Sequence, residues 1–170
     1  RLPFRKPLIV VAPKKLLRLK GACSDLSDFT EGTRWLPLIG DKSKNLNSPD
    51  KVEKLFYAQD KFTTTLIEEE KDGVTDTAII RCESLCPFPF KEIIAELKNY
   101  KNAEITWAQE EPKNAGPWTY VEPRLRNILG HLDKPKKVKY AGRRIMGATA
   151  VGFTSTHNTG LSKLLEDAFE

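Results

Sequence analysis

The chain has 170 residues, the size of one globular domain, and an ordinary soluble composition with 39% hydrophobic and 30% charged residues. The formal net charge is +5, but Lys and Arg are spread along the chain with Asp and Glu between them. The densest basic cluster, at residues 134–137, has no aromatic-basic recognition motif beside it, so we expect no specific nucleic-acid partner. The longest apolar run, residues 7–13, is far shorter than the roughly 20 residues that cross a bilayer, so no membrane span is expected.

The apolar patterning predicts strands and helices that alternate along the chain. Short apolar runs rich in β-branched residues predict buried strands, and helical spacing is clearest where Phe90, Ile93, Ile94 and Leu97 share one face. In chain order, the predicted elements are a strand at residues 7–12, a helical turn at 14–18, an apolar stretch at 35–39, a loop from Gly40 to Asp50, a strand at 52–58, a helix at 61–71, a strand at 77–81, an irregular segment at 85–90, a helix at 90–100, a strand at 104–109, a helix at 120–129, a strand at 137–142 and a C-terminal helix from Gly160 to Phe169.

This alternation is typical of βαβ units and predicts an α/β fold formed by a single domain over residues 1–170. We expect a three-layer sandwich with a mainly parallel sheet covered by helices on both faces. The helix at residues 120–129 contains Pro123, which is tolerated only in a first turn. Ligands of such sheets bind beyond the carboxyl ends of the strands. A ligand site is therefore expected among the segments that follow the strands, which are residues 13–18, 81–87, 109–118 and 142–152.

The three cysteines, Cys23, Cys82 and Cys86, are expected to be free thiols. Their odd number, with no visible secretory signal, favours a reducing compartment. Cys82 and Cys86 are four residues apart, but Pro87 follows at once and both histidines lie far along the chain. The sequence therefore predicts no metal site.

Glu110 and Glu111 follow one predicted strand and allow two interpretations. Carboxylates at a strand end can act as general bases or bind cations. Alternatively, they cap backbone N–H groups or pair with Arg124 or Arg126, and we favour this because nothing nucleophilic lies beside them. Trp118 is expected to be a packing anchor at a domain or subunit interface.

Basic residues at the other strand ends could bind an anion. Arg81 can fork a phosphate or carboxylate, and it is an equally good partner for an internal carboxylate such as Glu83. The other basic residues in such positions are Lys14, Lys15, Arg18, Arg143 and Arg144. No Gly-rich phosphate loop and no Ser-His-Asp set can be found in the sequence. The residues alone thus predict no catalytic side chain.

Four segments carry a more specific pattern: residues 5–18 (RKPLIVVAPKKLLR), 81–90 (RCESLCPFPF), 107–126 (WAQEEPKNAGPWTYVEPRLR) and 140–152, where YAGR is followed by ATAVG. Their order and spacing run through nearly all of the chain. They resemble the C-terminal domain of the dehydrogenase (first) component of 2-oxoglutarate dehydrogenase, and are less like pyruvate dehydrogenases or transketolases. The resemblance implies a transketolase C-terminal-like fold and a longer gene product.

In that family, thiamine diphosphate, its magnesium and the acid-base residues lie on two preceding domains, so the resemblance implies that this chain binds no cofactor itself and is not catalytic alone. It implies a structural domain that supports a homodimer, contacts other subunits in the mitochondrial matrix and, in some members, binds a regulatory nucleotide such as acetyl-CoA or AMP. The family motifs place an interface at Trp118, Tyr120 and Arg124. They place an anion or nucleotide site at Lys14, Arg18, Arg81, Gln109 and Lys113.

Two departures from the family pattern keep other interpretations open. Leu19-Lys20 replace the usual His-Pro, and residues 60–66 read DKFTTTL where the family has a Gly-Lys-Val-Tyr-Tyr-Asp-Leu stretch. Loss of that Gly relaxes a close backbone approach. One alternative is an orphaned, non-catalytic domain that serves as a structural accessory subunit of a larger mitochondrial assembly. Another is an adenine-nucleotide or coenzyme A binding module.

Overall fold

The computed structural model describes residues 3–11, 14–19, 22–43, 45–58, 63, 66 and 75–169. The chain divides into two compact units, Arg1–Arg34 and Trp35–Glu170. The family motifs that precede and follow residue 34 therefore belong to different units. Each unit is described by itself below.

In the N-terminal unit, the described residues include the short 3₁₀ helices Lys14–Arg18 and Leu26–Phe29, and the first confirms the predicted helical turn. The strand predicted at residues 7–12 is wrong over its described part. Residues 7–11 belong to no strand, and Leu8 and Val11 are 86% and 97% exposed. An apolar run becomes a strand only when a neighbouring strand bonds its N–H and C=O groups. None of the described residues supplies such a neighbour. Residue 12 lies outside the described residues.

The larger unit is built on a five-stranded sheet, and the predicted, mainly parallel arrangement of its strands is confirmed. In chain order the strands are β1 (Leu38–Ile39), β2 (Lys54–Ala58), β3 (Thr77–Cys82), β4 (Glu104–Pro112) and β5 (Lys139–Arg143). Their order across the sheet is β1-β3-β2-β4-β5, and only β1 runs antiparallel to its neighbour. Hence the carboxyl ends of β2, β3, β4 and β5 lie along one edge, which is named here the carboxyl edge.

Three helices of the described chain accompany the sheet: α1 (Phe90–Asn99), α2 (Trp118–His131) and α3 (Thr154–Phe169). Two of them differ from the sequence prediction at their starts. Helix α3 begins six residues before Gly160. Helix α2 begins two residues early, so Pro123 lies in its second turn rather than its first, where the ring removes one helical N–H donor. Packing of the α2 side chains against the sheet outweighs that loss.

The remaining predictions for this unit concern a loop and a helix. The loop predicted from Gly40 to Asp50 is confirmed over its described part and ends in a 3₁₀ turn, Pro49–Lys51. Its Asp41 carboxylate accepts a hydrogen bond of 2.8 Å from the backbone N–H of Ile79, which ties the loop to β3. The helix predicted at residues 61–71 lies outside the described residues except at Thr63 and Leu66, which are both helical and buried.

Side chains alternate between two hydrophobic cores on the two faces of the sheet. Along β2, Leu55 and Tyr57 point to the core that holds α1 and α2, while Phe56 and Ala58 point to the core that holds α3. This period of two is the geometry of a strand buried on both faces. Helices therefore cover both faces, and the predicted three-layer α/β sandwich is confirmed.

Candidate functional site at the carboxyl edge

Gln109 is the buried centre of the carboxyl edge, with only 2% of its surface exposed. Its Oε1 accepts hydrogen bonds from the indole Nε1 of Trp107 (2.9 Å) and the backbone N–H of Trp118 (3.0 Å). Its Nε2 donates to the carbonyl oxygens of Glu111 and Pro112, both at 3.2 Å. The amide thus makes four bonds within the chain, which is its full capacity. Gln109 folds the end of β4 onto the start of α2.

The loop between β4 and α2 approaches the Gln109 amide closely at Gly116. A Cβ atom built on Gly116 would overlap that amide and lie 2.9 Å from the Cβ atom of Glu111. Only glycine fits such a contact without a shift of the loop. Glycine at position 116 is therefore required for this packing.

Lys113 lies over two aromatic rings at the same edge. Its Nζ is 5.6 Å from the ring centroid of Trp118 and 5.1 Å from that of Tyr140. The two rings pack against each other with centroids 4.9 Å apart. The Tyr140 hydroxyl donates to the Arg143 carbonyl at 2.9 Å, and burial raises the pKa of Tyr140 to about 12. This arrangement, a lysine ammonium over two packed aromatic rings, is named here the cation–π platform.

Arg143, His157 and Glu110 form a cluster that joins β4, β5 and α3. The Arg143 Nε donates to the Glu110 carbonyl at 3.0 Å, and its terminal nitrogen lies 3.3 Å from both the carbonyl oxygen and Nδ1 of His157. The His157 Nε2 is 3.7 Å from a Glu110 carboxylate oxygen. Gly160 lies against the guanidinium, where a Cβ atom would overlap it. The sequence offered no signal for His157, because the residues of this cluster come from three separate segments.

Arg81 is placed at the end of β3 and pairs with a near neighbour. Its Nε is 2.9 Å from the carboxylate of Glu83, and about a third of the Arg81 side chain is exposed. Arg81 and Ala108 both align with Ala58 of β2, which lies between β3 and β4. Two strand spacings, roughly 9–10 Å, therefore separate Arg81 from the β4 end that carries Gln109. Within this unit the structure brings Gln109 and Lys113 together and places Arg81 apart from them.

The other two residues of the predicted anion site, Lys14 and Arg18, lie in the N-terminal unit. Both belong to the 3₁₀ helix Lys14–Arg18 and both are exposed. An anion site that combines them with Arg81, Gln109 and Lys113 stays a prediction.

The three residues of the predicted interface surround the start of α2. The Tyr120 hydroxyl donates to the Leu85 carbonyl at 3.0 Å, and its ring packs edge-on against Phe88. The Arg124 guanidinium stacks 3.4 Å from the Tyr120 ring centroid and donates to the Tyr120 carbonyl. Trp118 is partly buried by Lys113 and its neighbours. These contacts hold the side chains in fixed positions, as a preorganised protein contact requires.

The cysteine thiols and the clusters of potential ligand side chains are the features that bear on metal binding. Cys23 and Cys86 are exposed free thiols, whereas Cys82 is buried, and burial raises its pKa to about 11. Across the described part of the chain, no three His, Cys, Asp or Glu side chains form a group that could hold a metal ion. A search of the described residues also finds no helix that is long and apolar enough to span a membrane.

Comparison with known proteins shows which family this chain resembles. A family model described as 2-oxoglutarate dehydrogenase C-terminal matches residues 23–169. Curated relatives named "2-oxoglutarate dehydrogenase E1 component" in Brucella abortus, Brucella ovis and Brucella melitensis are each 39% identical over 174 aligned residues. Each alignment covers 97% of this chain but 17% of the relative. The chain therefore spans about one sixth of the length of these relatives.

Proposed function

The chain belongs to the 2-oxoglutarate dehydrogenase C-terminal family, and on that premise we propose that it is a non-catalytic assembly domain of a 2-oxoglutarate dehydrogenase E1 component. In this proposal it supports the dimer and the contacts with other subunits. Oxidative decarboxylation, with its thiamine diphosphate and magnesium, belongs to other parts of the full protein. A mitochondrial location stays a prediction, because the relatives named above are bacterial.

The single observation that carries this proposal is the bonding of the carboxyl edge. The Gln109 amide uses its full hydrogen-bonding capacity inside the chain, and Arg143 bonds two backbone carbonyls. Arg81 pairs with Glu83. A catalytic group must be able to reach a substrate proton or a reacting atom. Side chains that are committed to holding strand ends and helix starts together support a structural role instead.

Exposed apolar side chains of the larger unit support a role in protein contacts. Trp35, Ile145 and Phe153 are 68%, 72% and 76% exposed. Burial of such apolar side chains against a partner lowers the free energy by removing them from water. Aromatic side chains are enriched at the centres of protein interfaces. Trp118 and Tyr120, which are held by contacts within the chain, are also aromatic.

The regulatory alternative is favoured by one specific observation, the cation–π platform. Lys113 has no carboxylate partner within the described residues, and its ammonium group lies above Trp118 and Tyr140. A positive charge beside two aromatic rings suits a nucleotide, because the phosphate can pair with the ammonium group while the base stacks on a ring. This second candidate is a regulatory nucleotide site that includes Lys113.

Mass measurements on the native protein test the proposal. We would purify the protein from its source through an antibody to the C-terminal helix, and then determine the denatured mass of the polypeptide, the native mass and the 2-oxoglutarate dehydrogenase activity of the same fraction. The proposal expects a polypeptide several times the 19.3 kDa of this chain, with activity in the fraction. A 19.3 kDa polypeptide inside a larger assembly would favour the accessory-subunit alternative. A free, inactive 19.3 kDa monomer would contradict both.

A further inference from the structure

A hollow of about 300 Å³ opens at the edge opposite the carboxyl edge, where β4 and β5 begin. Its rim carries four lysines, Lys101, Lys134, Lys137 and Lys139, and one acid, Glu104. Four ammonium groups against one carboxylate leave three positive charges in excess around a small space. The hollow lined by these four lysines is named here the lysine hollow.

Two of the four lysines already have structural partners. The Lys134 Nζ donates to the carbonyl oxygens of Tyr100 and Lys101 at 2.7 and 3.0 Å, which caps the C-terminal end of α1. Lys139 forms an ion pair with Glu104. Lys101 and Lys137 have no carboxylate partner within the described ranges, and both are exposed. The excess charge is therefore available to a ligand.

The pKa of Glu104 reflects the lysine charges around the hollow, whereas that of Lys134 reflects burial alone. The pKa of Glu104 is lowered, first by its hydrogen bond to Lys139 and then, against an opposing effect of burial, by the charges of Lys139, Lys137 and Lys54. The pKa of Lys134 is lowered by burial. A carboxylate that is stabilised by several lysines marks a place where a second anion is also stabilised.

The floor of the hollow is apolar. Ile105 and Leu129 line it, and only 4% and 2% of their surfaces are exposed. A small organic anion can rest on such a floor while its charged groups meet the lysines. The volume is near the lower end of ligand pockets, which span roughly 300–1,000 Å³. This favours a small molecule over an acidic protein segment.

We propose that the lysine hollow binds the phosphate groups of a small multivalent anion. Lys is a point-charge donor with three N–H groups and suits phosphate oxygens that approach from several directions. Multivalent phosphate balances the three excess charges, which a single carboxylate does not. The site uses none of the residues that the family motifs pointed to, and it lies at the opposite edge of the sheet.

Calorimetric titration of the purified chain with pyrophosphate at low salt and pH 7 tests the proposal. The informative variant is Lys101→Gln/Lys137→Gln, which removes two exposed charges without disturbing the bonds of Lys134 or Lys139. The matched control is Lys91→Gln/Lys163→Gln, which removes the same charge from exposed positions on α1 and α3. We expect the first variant to weaken pyrophosphate binding at least tenfold, or about 1.4 kcal/mol, and the control to change it less than threefold.

Other measured affinities would overturn or support the proposal. Equal pyrophosphate affinity in both double variants would overturn the proposal, as would no detectable binding to the parent chain. Hexaglutamate that binds more tightly than pyrophosphate, and loses affinity in the Lys101→Gln/Lys137→Gln variant, would overturn it in favour of an acidic protein segment. ATP that binds more tightly than pyrophosphate would support it and identify the ligand as a nucleotide, and equal affinities would support a ligand recognised through phosphate alone.

Discussion

Replacement of Gln109 by Met should destabilise the fold far more than the loss of one surface amide. Met fills a similar volume but leaves four groups without their partner: the Trp107 indole N–H, the Trp118 backbone N–H and two carbonyl oxygens. Each buried polar group without a partner costs about 1–3 kcal/mol, and such costs overlap within one network. We expect the free energy of unfolding to fall by about 3–5 kcal/mol, a large share of the 5–15 kcal/mol typical of a domain.

Urea denaturation followed by circular dichroism and tryptophan fluorescence measures this loss. Asn127→Leu is the matched control, since it also replaces an amide by an apolar chain but at an exposed position of α2. The control should stay within about 0.5 kcal/mol of the parent chain. Trp107→Phe should cost about 1–2 kcal/mol less in the Gln109→Met background than in the parent, because the two residues share a bond. A Gln109→Met variant as stable as the control would refute the reasoning.

Three other predictions concern packing and titration. Gly116→Ala should lower the free energy of unfolding by about 1–3 kcal/mol in the same urea assay, since its Cβ atom would overlap the Gln109 amide; no loss would mean that the loop is free to move. The buried Cys82 thiol, whose pKa is raised to about 11, should react with Ellman's reagent only on unfolding, whereas the two exposed thiols react in the native state; three fast thiols would contradict this. Burial, followed by the charge of Asp41, raises the folded pKa of Glu96, so its protonated form favours folding at low pH and that contribution is lost as pH rises through the folded pKa. Glu96→Gln should therefore stabilise the chain relative to the parent at pH 7 but not at pH 3, and a gain of equal size at both pH values would argue against the burial effect.

The parallel sheet could be predicted because its signal is local. Residues 54–58 and 77–82 are buried on both faces, so each strand reads as a continuous apolar run, and turn residues mark the ends. Residues 7–11 have the same composition but form no strand in the described structure. Burial depends on which neighbour is present, and a run of apolar residues does not contain that information. Helix starts were missed for a related reason. The residue before α2, Pro117, makes no side-chain cap bond, and the Trp118 N–H is instead bonded by Gln109, nine residues earlier. Helix α3 begins with the polar residues 154–156, which show no apolar helical spacing.

The carboxyl edge was only partly predictable. Glu110 was expected to cap backbone N–H groups or to pair with Arg124 or Arg126, but its carboxylate lies 3.7 Å from the His157 ring, its carbonyl accepts from Arg143, and Arg126 pairs with Glu122. The expected role of Trp118 at an interface stays a prediction. His157 was missed because its contacts with β4 and β5 join residues far apart in sequence. The buried role of Gln109 was also hidden, since the family motif marks the position but not the four bonds that occupy the amide. A motif identifies which side chain matters, and only the folded geometry shows whether a ligand or the chain itself uses it.

The two edges of the sheet thus differ in whether their polar and charged side chains already have partners within the chain. In parallel sheets the carboxyl edge normally holds the ligand, because loops and helix starts converge there. Among the described residues, polar groups of that edge bond each other through Gln109 and Arg143, and Lys113 lies over the rings of Trp118 and Tyr140. The exposed cations Lys101 and Lys137 lie at the other edge, above an apolar floor. Under the two proposals made above, a partner protein contacts the carboxyl edge and an anion binds at the opposite edge, so the two contacts do not compete for one surface.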